Sequence, residues 1–169
     1  FFSFSFSNSN DVSPDLQFHF LPAAGVEPGV PPIKSGNGCT LNSYFLRPRS
    51  RGTVKLQSNM PTAPPIIDPN YIDDEYDLER SIDGVIQSRD IMSQASFKPY
   101  IKREHFPGPD VKTKKDVEEY ARQYGRTSYH HVGTCKMGSD DMSVVDANLK
   151  VYGIEGLRII DSSIMPSLI

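Results

Sequence analysis

Proline and glycine constrain this chain more than any other feature. Its 169 residues include 14 prolines and 12 glycines, and many fall in two runs, 22–38 and 60–70. Proline fixes φ and lacks an N–H, so neither run suits a long helix or a central strand. The pieces between them are short. Residues 15–21 (D-L-Q-F-H-F-L) alternate apolar and polar and predict a strand. Residues 40–46 and 53–57 predict two more, joined as a hairpin through Gly52. Helical spacing occurs twice. Leu78, Ile82, Val85, Ile86 and Met92 predict a helix over 75–96, with Asp74 as its cap and Asp73, Asp74, Glu75 and Asp77 at its start. Thr113-x-x-Asp116 is a capping-box pattern ahead of the stripe Val117, Tyr120, Ala121 and Tyr124, and Gly125 closes that helix. The fold class expected is α+β, an antiparallel sheet backed by helices.

Other segments carry weaker expectations. Residues 1–14 alternate Phe and Ser and can form a strand, but the reading taken is a disordered or artefactual start. The 22–38 loop, whose one basic residue is Lys34, is either a lid or, as expected here, a surface excursion. Arg47, Arg49 and Arg51 share one face of an extended chain, which fits a solvated strand end or structural ion pairs better than an anion site. His19 sits in a strand and reads as structural, and His105 reads as an exposed loop residue.

Composition excludes more than it assigns. The net charge of −3 gives no support for nucleic-acid binding. No apolar run reaches the length of a membrane span. Cys39 and Cys135 form no disulfide framework. Compartment, with secretion among the options, and oligomeric state are left open by these residues.

The chemistry concentrates in 128–169. Here a histidine pair, His130 and His131, lies between Ser128 and Gly133. Imidazole titrates near neutral pH and can take a proton from a substrate hydroxyl. Adjacent residues of an extended segment point to opposite sides, so one ring can serve a site while the other packs. Val144, Val145 and Val151, then 157–160, predict short strands, and Asp161-Ser162-Ser163 falls at a strand end, where ligands bind in open α/β sheets. The same triplet can instead be a helix cap. A metal site from His130, His131 and Cys135 is set aside, because the spacing matches no zinc pattern.

The wording Y-H-H-V-G-T-C-K-M-G, followed by V-V-D-A-N-L-K-V-Y-G-I-E-G-L-R-I-I-D-S-S-I-M-P, closely resembles the C-terminal region of the glucose-methanol-choline (GMC) oxidoreductases. L-R-P-R-S-R-G-T-V-K-L at 46–56 resembles the same family, and the likeness extends from about residue 15 onward. It looks closest to the animal glucose-dehydrogenase-like branch, with choline dehydrogenases as the alternative. The resemblance implies FAD as cofactor and an alcohol or sugar as substrate, with hydride passing to flavin N5. It makes His130 the base, Tyr129 and His131 substrate-side residues, and Asp161 and Ser162 cofactor-side residues, with no metal. It further implies that 15–127 is part of a substrate domain. Residues 128–169 then return to an FAD-binding domain, so their strands pair with a sheet that these residues do not include.

Two departures qualify the resemblance. The sequence contains no G-x-G-x-x-G, the turn that cradles a dinucleotide, and it stops short of the family's G-N-T-N-A-P-like segment. The expectation is therefore a fragment of a longer chain, inert by itself. The competing readings are a non-catalytic remnant or binding module, and a metal-dependent hydrolase using the histidine pair.

Overall fold

The structure is a computed structural model that describes residues 1–24, 33 and 37–168. Most of the expected 22–38 loop, Lys34 included, lies outside the described residues. The elements are β1 (Phe2–Ser5), β2 (Leu16–Leu21), β3 (Thr40–Phe45), β4 (Thr53–Lys55), β5 (Ile66–Asp68), α1 (Glu75–Ser93), α2 (Lys114–Tyr124) and a 3₁₀ turn at Ser162–Ile164. They form an α+β fold of antiparallel sheets and two helices, divided into two compact units. The first comprises 1–49 and 72–126, and the second 50–71 and 127–169.

The first unit is built on β2. Its alternation sends Leu16 and Phe18 to one face, where both are buried. On that face α1 lies against β3 and β2. Gly84 permits the approach, because a Cβ there would meet the Ser43 Oγ at 2.6 Å and its Cβ at 2.9 Å. Asp74 caps α1, accepting the Tyr76 N–H at 2.8 Å. The helix is three residues shorter than 75–96 because Gln94 leaves the helical conformation. The capping box on α2 is complete, with Thr113 and Asp116 bonding reciprocally. Ile72, Leu78, Ile82 and Val117 form the core between these helices. Burying each such side chain contributes about 1.5–3 kcal/mol.

Two expectations are corrected in this unit. The Phe/Ser start is not disordered at 2–5: β1 pairs antiparallel with β2, with Phe2 opposite His19 and Ser5 opposite Leu16. The Ser5 hydroxyl also donates to Gln87 Oε1 on α1. Nor does β3 form a hairpin with β4. It pairs with β2 throughout, and the chain bends at Leu46 and Arg47 directly after it. Arg49 then donates its N–H to Asp77 Oδ1 at 2.8 Å, while its guanidinium lies 3.8 Å over the Tyr76 ring. Arg47 donates to the Pro14 carbonyl. These two arginines are structural.

The second unit has little regular structure. β4 pairs with β5 across the 60–65 proline run. Gly52 allows the pairing to start, since a Cβ there would lie 2.2 Å from the Asp68 carbonyl oxygen. The strands expected in 144–160 are single bridges instead: Val145 to Met137 and to Val151, and Lys150 to Arg158. Left-handed residues at Leu149, Gly153 and Gly156 cut the runs short. So does Asp146, whose carboxylate accepts the N–H groups of Asn148 and Lys150 at 2.8 and 2.9 Å. Val145 is fully buried, whereas Ile160 remains 75% exposed.

Candidate functional site

The histidine turn begins at Thr127, whose Oγ1 accepts the Tyr129 N–H at 2.9 Å. Tyr129 has φ +65°, a left-handed conformation that costs an L-residue roughly 1–2 kcal/mol. A bend therefore precedes the two histidines. Their different surroundings are better described by contacts than by strand alternation.

His131 is held on both sides. Its Nε2 shares a hydrogen bond with the Tyr71 hydroxyl at 2.5 Å and lies 3.3 Å from Thr127 Oγ1. The Tyr71 and His131 rings stack with centroids 6.2 Å apart. The His131 carbonyl accepts from Ser162 Oγ at 3.3 Å. His130 is exposed, and its ring has no hydrogen-bond partner among the described residues.

The 3₁₀ turn is tied to this segment by backbone bonds. The Ser163 carbonyl accepts from Gly133 and Cys135 at 3.1 and 3.0 Å, and the Ile164 carbonyl accepts from Met137 at 2.7 Å. Gly133 takes φ +90° to make this possible. Asp161 and Ser162 thus share one hydrogen-bonded piece with the histidine pair. Asp161 caps the turn, accepting the Ser163 N–H at 2.8 Å. Asp-Ser-Ser is therefore a cap, the second of the two roles its sequence allows, and does not end a strand. Hydrogen bonds from Ser163, through its side chain and then its backbone, hold the Asp161 carboxyl below the usual carboxylate range. It is ionised at neutral pH and can only accept. The Ser162 N–H, at the first position of the turn, has no carbonyl partner within it.

Tyr129, His130, Asp161 and Ser162 are all exposed. Together they present an exposed imidazole, an acceptor carboxylate, a backbone N–H and an aromatic ring. Among the described residues, no three His, Cys, Asp or Glu side chains gather as metal ligands, and no helix is long and apolar enough to cross a membrane. Two residues that define the turn do not stand out in the sequence as site residues. Thr127 carries a signal, a hydroxyl placed two residues before the N–H it accepts. Tyr71 carries none, since its partner lies 60 residues away.

This chain belongs to the GMC oxidoreductase family: residues 48–169 match the family described as GMC oxidoreductase. It is 43% identical over 156 residues to an alcohol dehydrogenase [acceptor] of Pseudomonas putida, covering 92% of this chain and 28% of that protein. It is 39% identical over 160 residues to an oxygen-dependent choline dehydrogenase of Chromohalobacter salexigens, covering 95% and 28%. Among solved structures, pyridoxine 4-oxidase from Mesorbium loti superposes with a TM-score of 0.88 at 27% identity, over 99% of this chain and 33% of that one. Formate oxidase from Aspergillus oryzae RIB40, whose FAD undergoes modification, gives 0.85 at 27% identity, over 93% and 28%. Family homologues are FAD-dependent. The chain spans little more than a quarter of the length of these curated relatives. They are named for alcohol and choline, so the choline-dehydrogenase likeness gains support and the glucose-dehydrogenase-like branch does not.

Proposed function

We propose that these residues form one wall of an FAD-dependent site that oxidises the CH–OH group of a small alcohol, choline-type alcohols and sugars included. His130 is the base that takes the hydroxyl proton. The observation that carries this reading is the contrast within the histidine pair: both residues are exposed, but the ring at 131 is engaged by Tyr71 and the ring at 130 is unpartnered among the described residues. FAD, when bound, supplies the hydride acceptor. Proton removal by a positioned base and hydride departure together convert the carbinol to a carbonyl. Tyr129 covers the substrate side, its ring projected by the left-handed bend. Asp161 would accept from cofactor hydroxyls, and Ser162 would offer its N–H beside it.

Residues 1–169 alone should not hold FAD. Every cofactor-side group named here is exposed, and the sequence has no G-x-G-x-x-G turn to carry a pyrophosphate. Titrating FAD into the 169-residue chain should leave the flavin spectrum and fluorescence unchanged; a stoichiometric yellow complex that oxidises alcohols would contradict this. In an enzyme that joins these residues to a nucleotide-binding part, anaerobic mixing with choline or a primary alcohol should bleach the flavin. An unbleached flavin with every alcohol tried, or an activity that depends on added metal, would overturn the reading.

A further inference from the structure

We infer that Tyr71 and His131 form a positioning pair for the catalytic turn, and that neither is a substrate ligand. This rests on the reading of His130 as the base. His131 is the residue next to that base, and it is fixed twice. Its ring meets Tyr71 and Thr127 at Nε2, and its carbonyl accepts from Ser162. The peptide linking residues 130 and 131 is planar, so holding His131 by ring and carbonyl narrows the directions open to the His130 side chain. Thr127 sets the turn beside the pair: its Oγ1, 3.3 Å from His131 Nε2, accepts the N–H of the left-handed Tyr129. Tyr71 sits just beyond β5, with left-handed residues on either side, Asn70 at φ +51° and Ile72 at φ +59°. The backbone there has already committed to a strained path, as expected where a side chain must reach one place.

The chemistry of the pair also fixes a proton. Phenol is the better donor and neutral imidazole nitrogen the better acceptor. The Tyr71 hydroxyl therefore donates to Nε2, and the ring proton of His131 resides on Nδ1. That is a single tautomer, unlike the mixture of a free imidazole. With Nε2 taken, His131 cannot present that nitrogen to a substrate hydroxyl.

Imidazole ¹⁵N shifts in the 169-residue chain read the tautomer directly, with no flavin required. The wild-type chain should show His131 in the Nδ1–H form, with His130 averaged between forms. Tyr71→Phe keeps the ring and removes the hydroxyl; it should move the His131 nitrogens to free-imidazole values and leave those of His130 in place. Identical His131 shifts in the two chains, each with dispersed amide spectra, would overturn the inference. A second arm uses the enzyme joined to its nucleotide-binding part. His131→Gln places an amide near the Nε2 position and should keep most of kcat. His131→Ala should lower kcat by up to roughly 100-fold, the scale of a misplaced reacting group, with KM nearly unchanged. A rise in KM alone for both variants would make His131 a substrate ligand and sink the positioning role. If the tautomer is locked yet His130→Ala retains full activity, the pair stands and the assignment of the base fails.

Discussion

The two units are held together by different means. Among the described residues, the first unit buries Leu16, Phe18, Ile72, Leu78, Ile82, Val117 and Ala121, whereas the second buries Val145 as its one apolar residue of that kind. The second unit relies on carboxylates and carbonyls turned onto backbone N–H groups, as at Asp140, Asp146, Asp161 and Ser163. It leaves Leu56, Ile67 and Ile160 largely exposed. Burial provides stability roughly in proportion to apolar area, while a hydrogen-bonded turn contributes much less net energy and fixes geometry instead. The unit rich in core carries the scaffold, and the unit poor in core carries the candidate chemistry.

This contrast can be broken by mutation. Ile82→Ala removes a core side chain that is 1% exposed and should cost the first unit about 2–5 kcal/mol in chemical unfolding; a cost under about 1 kcal/mol would mean that the helix core is not what holds it. Gly84→Val drives a side chain into Ser43 and should cost about 1–3 kcal/mol, seen as a lower Tm. Thr113→Ala removes the capping hydroxyl of α2 and should cost about 1 kcal/mol, with fraying confined to that helix by amide exchange.

Acid should sharpen the difference with the smallest effect. Hydrogen bonding lowers the carboxyl pKa values of Asp140, Asp146 and Asp161 in the second unit: Lys136 is the leading cause at Asp140, the Lys150 backbone at Asp146 and Ser163 at Asp161. A depressed folded pKa contributes stability that is present above the unfolded value, near pH 3.9, and is lost as pH falls through the folded value. Desolvation by burial raises Asp83 in the first unit, against an opposing Arg80 charge. Its contribution has the opposite sign, fading as pH climbs from the unfolded value through the raised one. Asp116 on α2 follows the lowered group. Carboxyl ¹³C titrations should place Asp161 below and Asp83 above a free aspartate; the reverse order would contradict the hydrogen bonding assigned to Asp161 and the burial assigned to Asp83.

The sequence disclosed what depends on neighbours in the chain. Asp74, the Thr113–Asp116 box and the period of Leu78 and Ile82 are local, and each was readable. Partner choice was not. The expected β3–β4 hairpin gives way to the observed β2–β3 and β4–β5 pairs, because alternation sets a strand's faces and leaves its neighbour open. Val151 and 157–160 have strand composition, yet left-handed residues and an Asx turn limit them to bridges. At the site, the motif nominates His130 and Asp161 as candidates, while the Tyr71 contact that separates the two histidines is a tertiary fact.

The most direct measurement is the rate of anaerobic flavin reduction by alcohol in His130→Ala and His131→Ala variants of an enzyme joining these residues to a nucleotide-binding part. We expect His130→Ala to slow reduction by roughly 10²–10⁴-fold with flavin still bound, and His131→Ala to slow it less. Normal reduction in the His130 variant, with the large loss falling on His131, would contradict the assignment of the base.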